Sequence, residues 1–166
     1  KGCRAVGVAG SDAKVDYICN KLGFAGGFNY KTASDYGEAL APLCPDGIDV
    51  YFDNVGGSIS DAVFLQLNTG ARISVCGQIS QYNLKRPERG LRQTWLFITK
   101  RLSMRGFLVF DFAERYAEAL RALAGWVQEG KLSYREDIVD GLENAPAAFI
   151  GMLQGDNTGK RLVRVV

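Results

Sequence analysis

Five short stretches place hydroxyl, amide or cationic side chains directly after small apolar runs, where a ligand could be held. Ser11 and Lys14 follow Gly7-Val8-Ala9-Gly10. A hydroxyl, the free amides of a helix start and a lysine at that spacing can hold a phosphate-like anion, although the same residues also make an ordinary capped helix with a solvated lysine. Tyr30, followed by Lys31, ends a second run. Asn54 sits in Asp53-Asn54-Val55-Gly56-Gly57, where paired glycines either let a ligand approach the backbone or make a tight turn. Gly77, Gln78, Ile79, Ser80, Gln81 and Tyr82 follow Cys76, and Phe107, Leu108 and Val109 close the last run. The phenols of Tyr30 and Tyr82 can donate to a ribose, a phosphate or a substrate oxyanion, or can lie half-buried with no such role.

Other chemistries are excluded or weakened. The chain has 166 residues and no histidine, and its four cysteines, Cys3, Cys19, Cys44 and Cys76, form no C-x-x-C. Zinc held by Cys/His ligands and Ser-His-Asp or Cys-His catalysis are therefore excluded within it, no metal site is expected, and the cysteines read as reduced thiols. Twenty basic and eighteen acidic residues are interspersed to a net charge of +2, with no basic arm for nucleic acid. No apolar stretch approaches the ~20 residues needed to cross a bilayer. No two glycines are separated by one residue, so the G-x-G-x-x-G dinucleotide fingerprint is absent. Gly125 to Lys131 comes near a P-loop, but Leu132 stands where Ser or Thr would bind magnesium, and the stretch reads as a helix C-terminus.

The elements that must position the five corners alternate. Strands are expected at 4–9, 27–30, 48–52, 72–76 and 104–110. Helices are expected at 12–22, 35–44 (shortened by Pro42), from Ile59 through Leu67 to Gly70, 91–102 and 116–127. This rhythm implies an α/β fold with a doubly wound parallel sheet covered on both faces, whose ligands lie beyond the strands' carboxyl ends. After Gly130 the pattern changes. Residues 131–142 read as charged and irregular, 145–153 as a helix and 161–166 as an edge strand.

With these corners assembled, the chain resembles the C-terminal, cofactor-binding part of zinc-independent medium-chain dehydrogenases/reductases, specifically the prostaglandin reductase and alkenal double-bond reductase family. The matching strings are "VAGSDAK", "LGFAGGFNYK", "PDGIDVYFDNVGG", "ARISVCGQISQYN", "DGLENAPAAFIGML" and "GDNTGK", in family order over nearly the whole chain. The resemblance implies NADPH-dependent reduction of the carbon-carbon double bond of α,β-unsaturated aldehydes and ketones, with hydride delivered to the β-carbon and the enolate then protonated. Quinone reduction on the same fold, or nucleotide binding without catalysis, are the alternatives.

It further implies that Ser11, Lys14 and Tyr30 meet the 2′-phosphate, that Asn54 lines the cleft, and that Cys76 to Tyr82 run beside the diphosphate and nicotinamide ribose. Phe107 to Val109 would pack near the nicotinamide, Asn157 would close on the cofactor, and Tyr82 is the candidate catalytic donor. A cytoplasmic homodimer, with the strand near Met104 pairing across its axis, is also implied.

The resemblance divides the chain into an incomplete NADP-binding Rossmann domain, 1–130, and a segment, 131–166, returning to a substrate domain outside it. Lys1-Gly2-Cys3-Arg4, with neither methionine nor an apolar signal core, suggests an internal start. The family's first Rossmann strand and glycine-rich turn would then be missing and the segment alone inactive. That strand lies mid-sheet in the order 3-2-1-4-5-6, so its loss should leave strands facing a slot that another segment or chain must fill.

Overall fold

Val6–Ala9 (β1) and Gly26–Asn29 (β2) pair in parallel, Val6 opposite Gly26 and Ala9 opposite Asn29; these features come from a computed structural model that describes residues 1–165. Between them, Asp12–Asp16 (α1) starts at Ser11, whose Oγ accepts from the Lys14 amide at 3.3 Å. The helix then widens into a π turn at Tyr17–Lys21 rather than running as α-helix to residue 22. Glycines on the strands make room for it. A Cβ on Gly7 would stand 2.6 Å from the Ile18 Cδ1, and one on Gly27 3.1 Å from the same atom.

Three further parallel strands form a second sheet in the order β3-β4-β5: Ile48–Asp53 (β3), Leu67–Val75 (β4) and Ser103–Gly106 (β5). The helix Tyr36–Leu40 (α2) precedes β3, and Gly57–Leu65 (α3) and Thr94–Thr99 (α4) connect the three strands in turn. Pro42, which lacks an N–H, sits in the 3₁₀ turn that follows α2. Leu40, Val63, Leu67, Ala71, Ile73, Leu96 and Leu102 form the core. Leu67, Ile73 and Leu96 are almost wholly buried, each contributing about 1.5–3 kcal/mol.

Several expectations are corrected. The third helix ends at Leu65, and Leu67 already opens β4. The pairing jumps from Ile48↔Leu67 to Val50↔Arg72, and Gly70, at φ +79°, turns within that bulge instead of capping a helix. The helical pattern from Leu91 to Leu102 condenses to α4. β5 stops at Gly106, because after the Phe107 amide's bond to the Val75 carbonyl (3.3 Å) a turn in which the Leu108 amide donates to Asp111 Oδ2 (3.0 Å) draws residues 108–111 off the sheet. Val50 and Phe52, two apart on β3, are 54% and 61% exposed, so that face of the strand stays uncovered in this segment.

Among the described residues β1 bonds only to β2 and β3 only to β4, so the five strands do not form one sheet. The inner edges of β1 and β3 are open, which is the arrangement expected of a doubly wound sheet without its central strand.

The chain divides into two compact units, Lys1–Ala113 and Glu114–Val166. In the second, Tyr116–Gln128 (α5) lies where its apolar periodicity put it, with Gly125 to Lys131 at its C-terminus. Residues 131–142 are not all irregular, because Glu136–Asp140 (β6) pairs in parallel with Lys160–Arg164 (β7). Its charges are matched across the ladder. Arg161 meets Asp137 at 3.2 Å and Arg164 meets Asp140 at 2.9 Å, each directly opposite its partner. Ala145–Gln154 (α6) ends on left-handed Gly155. Val166, at the end of the expected last strand, lies outside the described residues.

Candidate functional site

The carboxyl ends of β4 and β5 converge on an open cleft of about 490 Å³ lined by Val75, Cys76, Gly77, Gln78, Tyr82, Gly106, Phe107, Leu108 and Asp111. Six of these, Cys76, Gly77, Gln78, Tyr82, Phe107 and Leu108, are among the residues singled out from sequence. Phe107 gives the cleft an aromatic wall, its ring centroid 6.3 Å from Phe52 and 6.0 Å from Phe112. Tyr82 is mostly exposed, and its hydroxyl accepts from the Gln78 amide at 3.1 Å, which leaves its own proton available. Val109 is exposed and absent from the lining.

Ile79, Ser80 and Gln81 form a 3₁₀ turn behind the cleft. This turn leans on the loop after β3, where the Ile79 amide donates to the Asn54 carbonyl (3.1 Å) and both the amide (3.1 Å) and Oγ (2.6 Å) of Ser80 donate to the Val55 carbonyl. Asn54 is exposed, and a Cβ on Gly77 would come within 2.5 Å of its Oδ1, so a side chain there would have to push the Asn54 amide aside.

A second corner gathers Ser11, Lys14 and Tyr30. The Tyr30 ring covers Gly10 so closely that a Cβ there would lie 3.0 Å from the ring and 3.1 Å from the hydroxyl. Ser11 caps α1 as an acceptor, so its hydroxyl proton remains available to an anion. Asp12 turns aside, its Oδ1 accepting from Asn29 Nδ2 at 2.8 Å. No acid occupies position 10 or 11, where an NAD-selecting fold normally carries one. Asn157 belongs to the second unit, where its Nδ2 donates to the Gly159 carbonyl at 2.7 Å.

Sequence reasoning passed over Asp111 and Asp53. Asp111 lines the cleft while holding the 108–111 turn. Asp53, 6% exposed, was legible only as part of a turn. Its Oδ1 accepts from the amides of Val55 (3.0 Å) and Gly56 (2.8 Å), and its Oδ2 from Ser60 Oγ (2.7 Å), which lies 3.0 Å from the Tyr51 hydroxyl. Burial first, opposed by the Ser60 hydrogen bond and assisted by Asp53, pushes the Tyr51 phenol above its ordinary range. All four cysteines are free thiols, and burial, opposed by Arg4, raises that of Cys44.

Comparison with known proteins fits this geometry. Residues 1–125 match the family described as zinc-binding dehydrogenase. The chain is 48% identical to a tobacco (Nicotiana tabacum) 2-alkenal reductase (NADP(+)-dependent), covering 99% of this chain and 48% of that protein. It is 50% identical to prostaglandin reductase 1 of Rattus norvegicus, covering 99% and 50%. The crystal structure of CurA from Vibrio vulnificus in complex with NADPH superposes with a TM-score of 0.94 at 46% identity, over all of this chain and 50% of that one. The chain thus spans about half the length of the curated relatives it matches. Despite the family's description, there is no histidine and, among the described residues, no cluster of three His, Cys, Asp or Glu side chains, so these residues do not fit a zinc site. The chain is the cofactor-domain portion of a member of the zinc-binding dehydrogenase family, in its zinc-independent branch of medium-chain reductases that includes the prostaglandin and alkenal reductases.

Proposed function

We propose that the protein carrying this chain is an NADPH-dependent reductase of the carbon-carbon double bond in α,β-unsaturated aldehydes and ketones. The observation that carries the reading is the pair of glycine-floored corners. Gly10 lies under Tyr30 beside Ser11 and Lys14, and Gly77 lies under Asn54 beside Tyr82. Both corners are open to a phosphate or ribose, and neither carries an acid at the position that would repel a 2′-phosphate. The names of the tobacco reductase and the CurA complex add the cofactor and, for the former, the substrate class.

NADPH, when bound, supplies the hydride that reaches the β-carbon. Of this chain's residues, Ser11, Lys14 and Tyr30 hold the 2′-phosphate, while Cys76 to Gln81 and Asn54 support the diphosphate and ribose. Phe107 and Leu108 exclude water from the nicotinamide. The Tyr82 hydroxyl donates to the ribose or to the substrate oxygen as enolate charge develops. With no histidine in the chain, the α-carbon takes its proton from solvent or a hydroxyl relay.

Residues 131–166 return to a substrate domain, and a parallel strand from outside this segment fills the slot between β1 and β3. A cytoplasmic homodimer paired along the open edge of β5 belongs to the same reading. The test is oxidation of NADPH by the longer protein with an enone and, separately, a quinone. Enone turnover well above quinone turnover supports the reading; quinone preference, or no turnover with either, overturns it. Tyr82→Phe should lower turnover or NADPH affinity, and unchanged values for both remove Tyr82 from its role.

A further inference from the structure

We infer that Asp53 is the positioning residue of the cleft, its buried carboxylate holding the loop after β3 in the one shape that grips residues 76–80; as regards the cofactor, this rests on the function proposed above. Three donors converge on the carboxylate, the amides of Val55 and Gly56 and the hydroxyl of Ser60. Ser60 spends its single proton on Asp53, so in the 3.0 Å pair with Tyr51 the phenol is the donor. Tyr51, Ser60 and Asp53 form a one-way chain from the strand, through the first turn of α3, to the loop.

The loop so fixed presents its carbonyls outward. The Asp53 carbonyl accepts from the amides of Cys76 (2.7 Å) and Gly77 (3.2 Å), and those of Asn54 and Val55 take Ile79 and Ser80. Gly56 and Gly57, at φ +71° and +68°, adopt the left-handed conformation the loop needs, and a Cβ on Gly56 would stand 2.5 Å from Gln78 Cγ. Nothing in this arrangement requires Asp53 to touch a ligand. It acts through the segment that does.

The comparison of Asp53→Ala, Asp53→Asn and Ser60→Ala in the longer protein tests this. Asparagine keeps an acceptor for the two amides, and its Nδ2 can donate to Ser60, which then turns its proton to Tyr51. Alanine leaves all three donors unmet, two of them buried. Expected are an NADPH KM raised about tenfold or more in Asp53→Ala, and by no more than about threefold in Asp53→Asn. Ser60→Ala should fall between them, with the enone KM unchanged in all three. Amide hydrogen exchange at Cys76, Ile79 and Ser80 should quicken in the same order, with or without NADPH.

Should Asp53→Ala not fold, the gradation between Ser60→Ala and Asp53→Asn carries the result. Variants that lose only melting temperature, with the NADPH KM and exchange at 76–80 unmoved, make Asp53 a fold-stabilising residue and overturn the inference. A wild-type protein that binds no NADPH overturns the proposed function and the cofactor part of this inference together. In that case the exchange pattern still decides whether Asp53 holds the segment.

Discussion

The two glycine-floored corners of the first unit are built differently. At the end of β3 the backbone is locked from within: Asp53 organises its own loop, that loop holds the 76–80 turn through backbone carbonyls, and Tyr82 closes the turn on the Gln78 amide. At the end of β1 the bonds include a side-chain cap from Ser11, the Asp12–Asn29 hydrogen bond and the pairing of β1 with β2, and the other edge of β1 is unpaired among the described residues. The first corner is organised before any ligand arrives. The second depends on charge and on whatever completes the sheet. Geometry from buried hydrogen bonds and affinity from a half-buried cation are different resources, and they should respond differently to substitution.

The largest expected effect strikes the foundation of the β3 corner. Ile73 lies at the centre of β4, 2% exposed and paired with Tyr51 and Met104. Ile73→Ala should cost about 2–5 kcal/mol by cavity formation, while Val50→Ala on the exposed face of β3 should cost much less in the 166-residue chain. Thermal unfolding of both reads the difference. Equal losses would mean that the exposed face is buried in solution and that the contrast between the corners is drawn too sharply.

The next effect belongs to the β1 corner. Lys14→Ala should weaken NADPH by roughly 10- to 100-fold in the longer protein, the usual worth of a hydrogen bond to a charged group, and leave NADH almost untouched. Titration with each nucleotide measures it. Equal weakening for both would return Lys14 to an ordinary helix lysine and leave selectivity to some other group.

The same difference explains what could be read in advance. Apolar runs followed by small or polar residues placed β1, β3 and the corners, and the stripe of Tyr116, Leu120, Leu123 and Val127 placed α5, because these signals are local and periodic. β6 escaped because its charges look like a loop until Asp137 and Asp140 are set opposite Arg161 and Arg164, a match between segments 24 residues apart that no local pattern records. The start of β4 escaped because Leu67 continues the helical period of Ile59 and Val63 while serving the core from a strand. Asp53 escaped for a related reason. Its bonds to the Val55 and Gly56 amides are those any turn-forming Asp makes, and the partner that sets it apart, Ser60, lies seven residues on along a helix, beyond the reach of any local pattern. Residues that would touch a ligand were legible from their position after strands, whereas the residue that holds them in place was not.

The smallest effect tests the internal lock at its outer link. Tyr51 keeps its ring contact with Phe64, centroids 6.4 Å apart, whether or not it carries a hydroxyl, so Tyr51→Phe should cost only about 1 kcal/mol near neutral pH. Its pH dependence is more telling. Burial raises the folded-state phenol above its ordinary value of 10.0, so the folded state favours the protonated form. That contribution is whole below the pKa of the unfolded tyrosine and is lost as pH rises from there through the higher folded value. Wild type and Tyr51→Phe should therefore show parallel stability from pH 7 to about 10. Above it, the wild type should fall the more steeply, by at most about 1.4 kcal/mol per pH unit, and the gap between the two should close. Denaturant unfolding across that range reads the slope. Curves that stay parallel into strong alkali would mean that the phenol ionises as freely folded as unfolded, and that the chain from Tyr51 through Ser60 to Asp53 is open to water rather than locked.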